Sequence, residues 1–251
     1  MLSLLSTAPA AGTLLRMSRM QGARQRARGE ITEAIKEEAR RQLAEQGASR
    51  LSLRAVAREL GVASSALYRY FPSRDELLTA LIMDAYDALG AAAEEALAEA
   101  ESAGDSHLVR WRAVCRAVRG WSLAHPHEYA LLYGSPVPGY AAPSATIRPA
   151  SRAALALLTV LSDAYAVGAL RVPARAAVAP APVLRDTERL VGELAVPLPP
   201  AVAAEAVAAW AQLFGLVGFE LFGQFANVID ARDAFFDHAA ERLADQVGLR
   251  R

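Results

Sequence analysis

The residues best suited to recognition chemistry lie in Leu53–Phe71, which reads LRAVARELGVASSALYRYF. Ser64, Ser65, Tyr68 and Arg69 recur at spacings that bring them to the outer side of one short helix, with Tyr70 at its end. Hydroxyls and a guanidinium suit base edges and phosphate oxygens, and a tyrosine ring suits a thymine methyl. Arg54, upstream, reaches the same groove or its edge. Ser52 and Arg74 stand at helix N-termini, where free backbone N–H groups favour phosphate. These types bind anions and base edges rather than make or break bonds.

Other candidates are weaker. Trp111, Trp121, His125, Tyr129 and Tyr165 are candidate walls of an apolar ligand cavity, although aromatics at helical spacing serve a plain core equally well. His125 and His127 flank Pro126, a spacing that does not put both rings on one helical face. No third ligand is evident, so no metal is expected; His125 should cap or pack at the proline break and bond backbone. Cys115, the single cysteine, can form no internal disulfide and falls on an apolar face, so it should be buried and inert. Arg112, Arg116 and Arg119 read as a solvated face. The chain holds no Gly-x-Ser-x-Gly elbow, phosphate loop, dinucleotide fingerprint or metal-ligand helix motif. The reading is therefore not an enzyme, with no cofactor.

Two short helices joined by a tight turn would present the outward residues of Leu53–Phe71. Their close crossing needs a small side chain, which Ala57 provides. The turn needs a residue at ease with positive φ, which Gly61 provides four positions later. Val56, Leu60, Val62 and Leu67 then fall on inner faces, completing a helix-turn-helix. The spacing predicts helices over Ser52–Leu60, with Ser52 accepting a hydrogen bond at its start, and over Ser64–Phe71, stopped by Pro72. A preceding helix spans Glu30–Gln46, with Ile31, Ala34, Ile35, Ala39 and Leu43 in helical register and Gly47 as its stop. Ser73 and Glu76 form a capping box that opens a long helix, Arg74–Ala103. Further helices are predicted over His107–Ala124, Thr146–Leu170, Ala201–Ala226 and Asp230–Val247. A loop should occupy 134–144, and six prolines make 171–200 the least regular part. No strand, repeat or heptad run is evident, so the fold class is all-α. The expected domains are a disordered basic extension over 1–27, a three-helix DNA-binding domain over 28–74, and a larger helical body over 75–251.

At these residues the chain resembles the TetR family of repressors. The resemblance covers about Arg28–Asp84 and is carried by LSLRAVARELGVASSALYRYFPSRDELL. It implies base-side contacts at Arg54, Ser64, Ser65 and Tyr68 and phosphate contacts at Ser52, Tyr70 and Arg74, with Ala66 standing where many members carry a hydroxyl. A second, shorter stretch, WSLAHPHEYALLYG, is similar to the WHG-type C-terminal domain through Trp121, His125 and Gly134. That similarity implies an all-helical effector-binding body that also dimerises.

Charge is uneven beneath a net of zero. Residues 1–80 carry 13 Lys and Arg against 8 Asp and Glu, and the remainder 14 against 19. A basic front and an acidic back suit one anion-binding module and one with another task. The arginines at 16, 19, 24, 26 and 28 either reach DNA or form a solvated tail. They follow the apolar start rather than precede it, which is the wrong order for a secretory signal. Ala201–Phe219 is apolar but interrupted by Glu205 and Gln212, so it reads as a buried helix rather than a membrane span. Trp210, Phe214, Gly218, Phe222 and Phe235 are candidates for a two-helix dimer face, because a helix-turn-helix reads two half-sites. The expected function is a cytoplasmic, DNA-binding regulator: an effector-released repressor that grips a palindromic operator as a homodimer. Its expected partners are double-stranded operator DNA and an unknown small-molecule effector. The alternative is a small-molecule carrier with no DNA function.

Overall fold

The computed structural model describes residues 11–172 and 179–249, with side chains described from Arg24 onward. The chain divides into two compact units, residues 1–78 and 79–251. Every named element among the described residues is helical.

The first unit is built on α1 (Ala11–Gln46), α2 (Leu53–Glu59) and α3 (Ser64–Leu67). Its core is the set the helical register selects: Ile35, Ala39 and Leu43 from α1, Val56 and Ala57 from α2, and Leu67, Phe71, Leu77 and Leu78 beyond. Burying each of the larger aliphatic side chains contributes about 1.5–3 kcal/mol before chain entropy is subtracted. α1 starts well before Glu30, so the disordered extension expected over 1–27 is not what residues 11–27 form; residues 1–10 of that expectation lie outside the described residues. The physical reason is composition: after Pro9 no proline interrupts the run, and leucine, methionine, alanine, glutamine and arginine all favour helix.

The second unit holds most of α4 (Arg74–Ser102), α5 (His107–Ala124), α6 (Pro126–Tyr133), α7 (Ile147–Ala166), α8 (Ala181–Glu193), α9 (Pro200–Leu221) and α10 (Arg232–Val247). α5 starts where Ser106 Oγ accepts from Val109 N–H, and α6 starts on Pro126, whose missing N–H would be unpaired there anyway. Over 181–193, α8 corrects the expectation that 171–200 is the least regular part; residues 173–178 of that expectation lie outside the described residues. The prolines punctuate that segment's ends, with Pro182 in the first turn of α8, and the intervening VLRDTERLVGE is free to coil.

α9 is the spine of this unit and packs against α5, α6, α8 and α10. It is the one helix among the described residues long and apolar enough to cross a membrane. Here it lies within a protein core, with Val202, Ala203, Ala206, Ala209, Leu213, Phe214 and Val217 buried. Its polar interruptions have partners: Gln212 Nε2 donates to Gln246 Oε1 at 3.0 Å, and Gln246 Nε2 donates to Glu205 Oε2 at 3.3 Å.

Arg112, Arg116 and Arg119 do not form a simple solvated face. They pair across to Glu241, Asp237 and the Glu220–Asp233 pair, binding α5 to α10 and the end of α9. The Arg116–Asp237 and Arg119–Glu220 contacts are bidentate, with every N–O distance 2.7 Å. Burial of α5 also explains Cys115, which is fully enclosed, its thiol pushed up by desolvation. The ends of α7 and α10 are tied where Arg171 N–H donates to Gly248 O at 2.9 Å. Gly248 has φ +95°, and a Cβ there would collide with Arg171 O.

Candidate nucleic-acid interface and ligand cavity

In the first unit, α2 hands over to α3 through Gly61 at φ +66°. Gly61 N–H donates to Arg58 O at 3.1 Å and Val62 N–H to Ala57 O at 3.0 Å, closing the turn. Ala57 is buried at the crossing, as the spacing requires. Val62 is a correction: it is 44% exposed rather than part of the inner face, and Leu60 is only half-buried. One residue beyond the turn, Val62 is carried past the α1–α2–α3 core.

α3 is shorter than Ser64–Phe71. Regular helix ends at Leu67, and the chain continues in turns with Tyr70 N–H and Phe71 N–H both donating to Leu67 O. Leu67 and Phe71 anchor this segment inward, which leaves Ser65, Tyr68 and Arg69 exposed and Ser64 and Tyr70 half-buried. Arg54 is exposed on α2. Ser52 occupies the N-cap of α2 as expected, but its side chain makes no cap hydrogen bond. The Arg28 guanidinium stands 5.8 Å from the Tyr70 ring centroid, a cation–π distance. Arg74 has a structural duty beside the expected phosphate contact. Its guanidinium donates to Ala48 O at 2.9 Å and Leu51 O at 3.2 Å, fixing the loop that precedes α2. Ser73 Oγ accepts from Glu76 N–H at 3.1 Å, which is half of the predicted capping box.

The second unit contains a cavity of about 860 Å³ between α4, α6, α7, α8, α9 and the loop after α6. Ligand sites run to about 300–1,000 Å³. Of the five candidate wall residues, only Trp111 lines it; Trp121, His125, Tyr129 and Tyr165 do not. The reasons are local. His125 Nδ1 lies 2.9 Å from Trp121 O and its ring stacks on Trp121, so both serve the α5–α6 break. Tyr129 is buried, and its hydroxyl donates to Phe214 O at 2.6 Å; burial pushes its pKa up to about 12. Tyr165 is 43% exposed.

The aromatic wall comes instead from Tyr86, Tyr133, Tyr140 and Trp210 together with Trp111. Trp210 was a dimer-face candidate, and two others also turn inward. Phe214 is buried against Tyr133 at 4.4 Å between centroids, and Gly218 is buried where a Cβ would press on Tyr129 Oη. Phe222 stays 50% exposed and Phe235 is half-buried. Phe219, not among the candidates, is 55% exposed on α9. Helical register separates an apolar stripe from a polar one but does not say which neighbour each apolar residue meets, so the tyrosines of the cavity carried no signal of their own.

The same geometry accounts for the Trp121, His125 and Gly134 trio without a ligand. Trp121 and His125 close α5, and Gly134 ends α6, where its N–H donates to Ala130 O at 3.0 Å and a Cβ would collide with that oxygen.

Two family models match separate stretches of the chain. Residues 35–81 match the model described as bacterial regulatory proteins, tetR family. Residues 111–243 match tetracyclin repressor-like, C-terminal domain, a broader description than the WHG type. The chain is 41% identical over 218 residues to the HTH-type transcriptional regulator Rv1816 of Mycobacterium tuberculosis, covering 86% of this chain and 92% of the relative. Among solved structures, SCO4313, described as a regulatory protein, is 33% identical with a TM-score of 0.70, covering 88% of this chain and 98% of the other. PfmR, a TetR family transcriptional regulator of Thermus thermophilus, is 20% identical with a TM-score of 0.54 over 86% of this chain and 99% of its own, which speaks to fold alone. The chain belongs to the TetR family of DNA-binding transcriptional regulators.

Proposed function

We propose that the protein is an effector-released repressor that binds a palindromic operator as a homodimer in the cytoplasm. The observation that carries the reading is the pairing of two features in one chain. One is an outward row of Arg54, Ser65, Tyr68 and Arg69 on a helix-turn-helix; the other is a large apolar cavity in the second unit. The first suits groove contacts, with Ser64, Tyr70, Ser52 and Arg74 at its margins. The second suits a small-molecule effector.

A homodimer follows from the geometry of recognition, since two-fold protein symmetry matches two half-sites. The exposed side of α9 at Phe219, beside His238 and Arg242 of α10, with the exposed Phe222 three residues on, is the surface we assign to that contact. The effector acts by differential affinity for the operator-competent form and another form, since equal affinity would shift nothing. No residue cluster among the described residues favours an enzymatic reading over this one.

The test is a footprint on DNA flanking the protein's own gene at stated salt, with wild type and Tyr68→Ala compared. The reading expects a protected palindrome that the variant loses. Equal protection by the variant, or failure of wild type to select any sequence from a random pool, would sink it in favour of a carrier.

A further inference from the structure

We infer that the cavity takes an uncharged, largely apolar molecule bearing a hydrogen-bond acceptor oxygen, such as a ketone or ester carbonyl. The inference rests on the reading of this cavity as the effector site. Among the described residues the wall carries no Lys, Arg or His, and the single charged residue on it is Glu193, which is solvent-exposed and 4.0 Å from Arg189. A buried anion would therefore lose hydration with no cation to meet it, and a buried cation would have no interior carboxylate. Arg152, next to Ser151 on α7, is already held by Asp87 at 2.7 Å and Glu94 at 2.6 Å.

The polar groups on the wall sort by whether they have partners. Thr146 and Ser151 hydroxyls donate to backbone oxygens of Pro143 and Arg148, the Tyr140 hydroxyl bonds Thr79 at 2.9 Å, and Trp111 Nε1 donates to Ala240 O at 3.1 Å. Four side-chain donors remain without a hydrogen-bond partner among the described residues: the hydroxyls of Tyr86, Tyr133 and the exposed Ser135, and the indole N–H of Trp210. Burial pushes both tyrosines up, so these hydroxyls stay protonated and keep a proton to give. Apart from the solvent-exposed Glu193 carboxylate, the open side-chain polar groups of this wall are all able to donate, which matches a ligand that accepts. An acceptor placed among them is bonded away from bulk water, where losing one bond leaves a buried group unsatisfied.

The experiment is a set of calorimetric titrations of the full chain, without DNA, using one ring system in four forms. These are naphthalene, 2-acetylnaphthalene, 2-naphthalenesulfonate and trimethyl-2-naphthylammonium. The inference expects 2-acetylnaphthalene to bind tightest, by about tenfold or more over each charged form. It also expects an advantage over naphthalene that shrinks in Tyr86→Phe or Tyr133→Phe. Filling the cavity with Ala154→Trp, or with Ala150→Phe should the first variant fold poorly by circular dichroism, should abolish binding. Tightest binding by a charged form overturns the ligand class but leaves the cavity as an effector site. Absence of binding by both neutral forms, binding that survives both filling variants, or an advantage unchanged in both tyrosine variants overturns the inference. None of these results bears on the footprint, so the failure of DNA recognition and the failure of the ligand class are read separately.

Discussion

Glu94 and Asp237 are carboxylates whose arginine contacts tie the stability of the folded state to pH. The hydrogen bond from Arg152 holds the Glu94 carboxyl below its usual range, and Arg116 does the same for Asp237. A carboxyl whose pKa falls on folding contributes stability above its unfolded value, and that contribution is lost as pH falls through the folded value. Urea midpoints should therefore decline as pH drops below the ordinary carboxylate range, near ~4. In Glu94→Gln the decline should be shallower, with a lower midpoint at neutral pH. A variant whose midpoints track wild type at every pH would remove Glu94 from this account. Both carboxylates are partly solvated, so the effect belongs to slope rather than to a large absolute loss.

At the scale of elements, the α2–α3 turn is the most constrained join in the first unit. Gly61→Ala places a Cβ on a left-handed residue and should cost about 1–2 kcal/mol, read as a lower urea midpoint. Operator affinity should fall with it, because the turn sets the angle at which Tyr68 and Arg69 are presented. Unchanged midpoint and affinity would mean that the turn relaxes freely. This join was the most legible part of the sequence, since each constrained position admits few residue types: Ala57 at the crossing and Gly61 in the turn. Element ends were less legible. α3 stops at Leu67 rather than Phe71, where the chain tightens into turns, and α1 starts nineteen residues before Glu30. α8 was hidden because prolines at helix starts and prolines in loops look alike in a sequence. The cavity was read least well. Tyr86, Tyr133 and Trp210 sit in apolar stripes indistinguishable from core, and only the packing of α9 against α6 and α8 turns them into a wall.

For the whole molecule, the assigned dimer contact makes a separate prediction. Phe219 and Phe222 expose ring surface on a helix whose other side is fully committed to the core. Exposed aromatic patches of this kind mark association surfaces. Phe219→Glu should yield a monomer by sedimentation equilibrium while keeping its helical circular dichroism, and it should lose protection of a two-half-site operator. A variant that remains dimeric would move the contact to another face. The Arg112–Glu241 and Arg116–Asp237 contacts between α5 and α10 do not involve Phe219 or its chain neighbours and should survive the change.

The chain holds three tryptophans, and two of them, Trp111 and Trp210, stand in the cavity wall, while the third stacks on His125. The protein thus carries its own optical gauge of occupancy. Ultraviolet emission from two indoles responds to whatever enters, and Trp121→Phe would remove the background from the third. A search for the natural effector needs no label: the colour and lifetime of the protein's own light record when the space is filled.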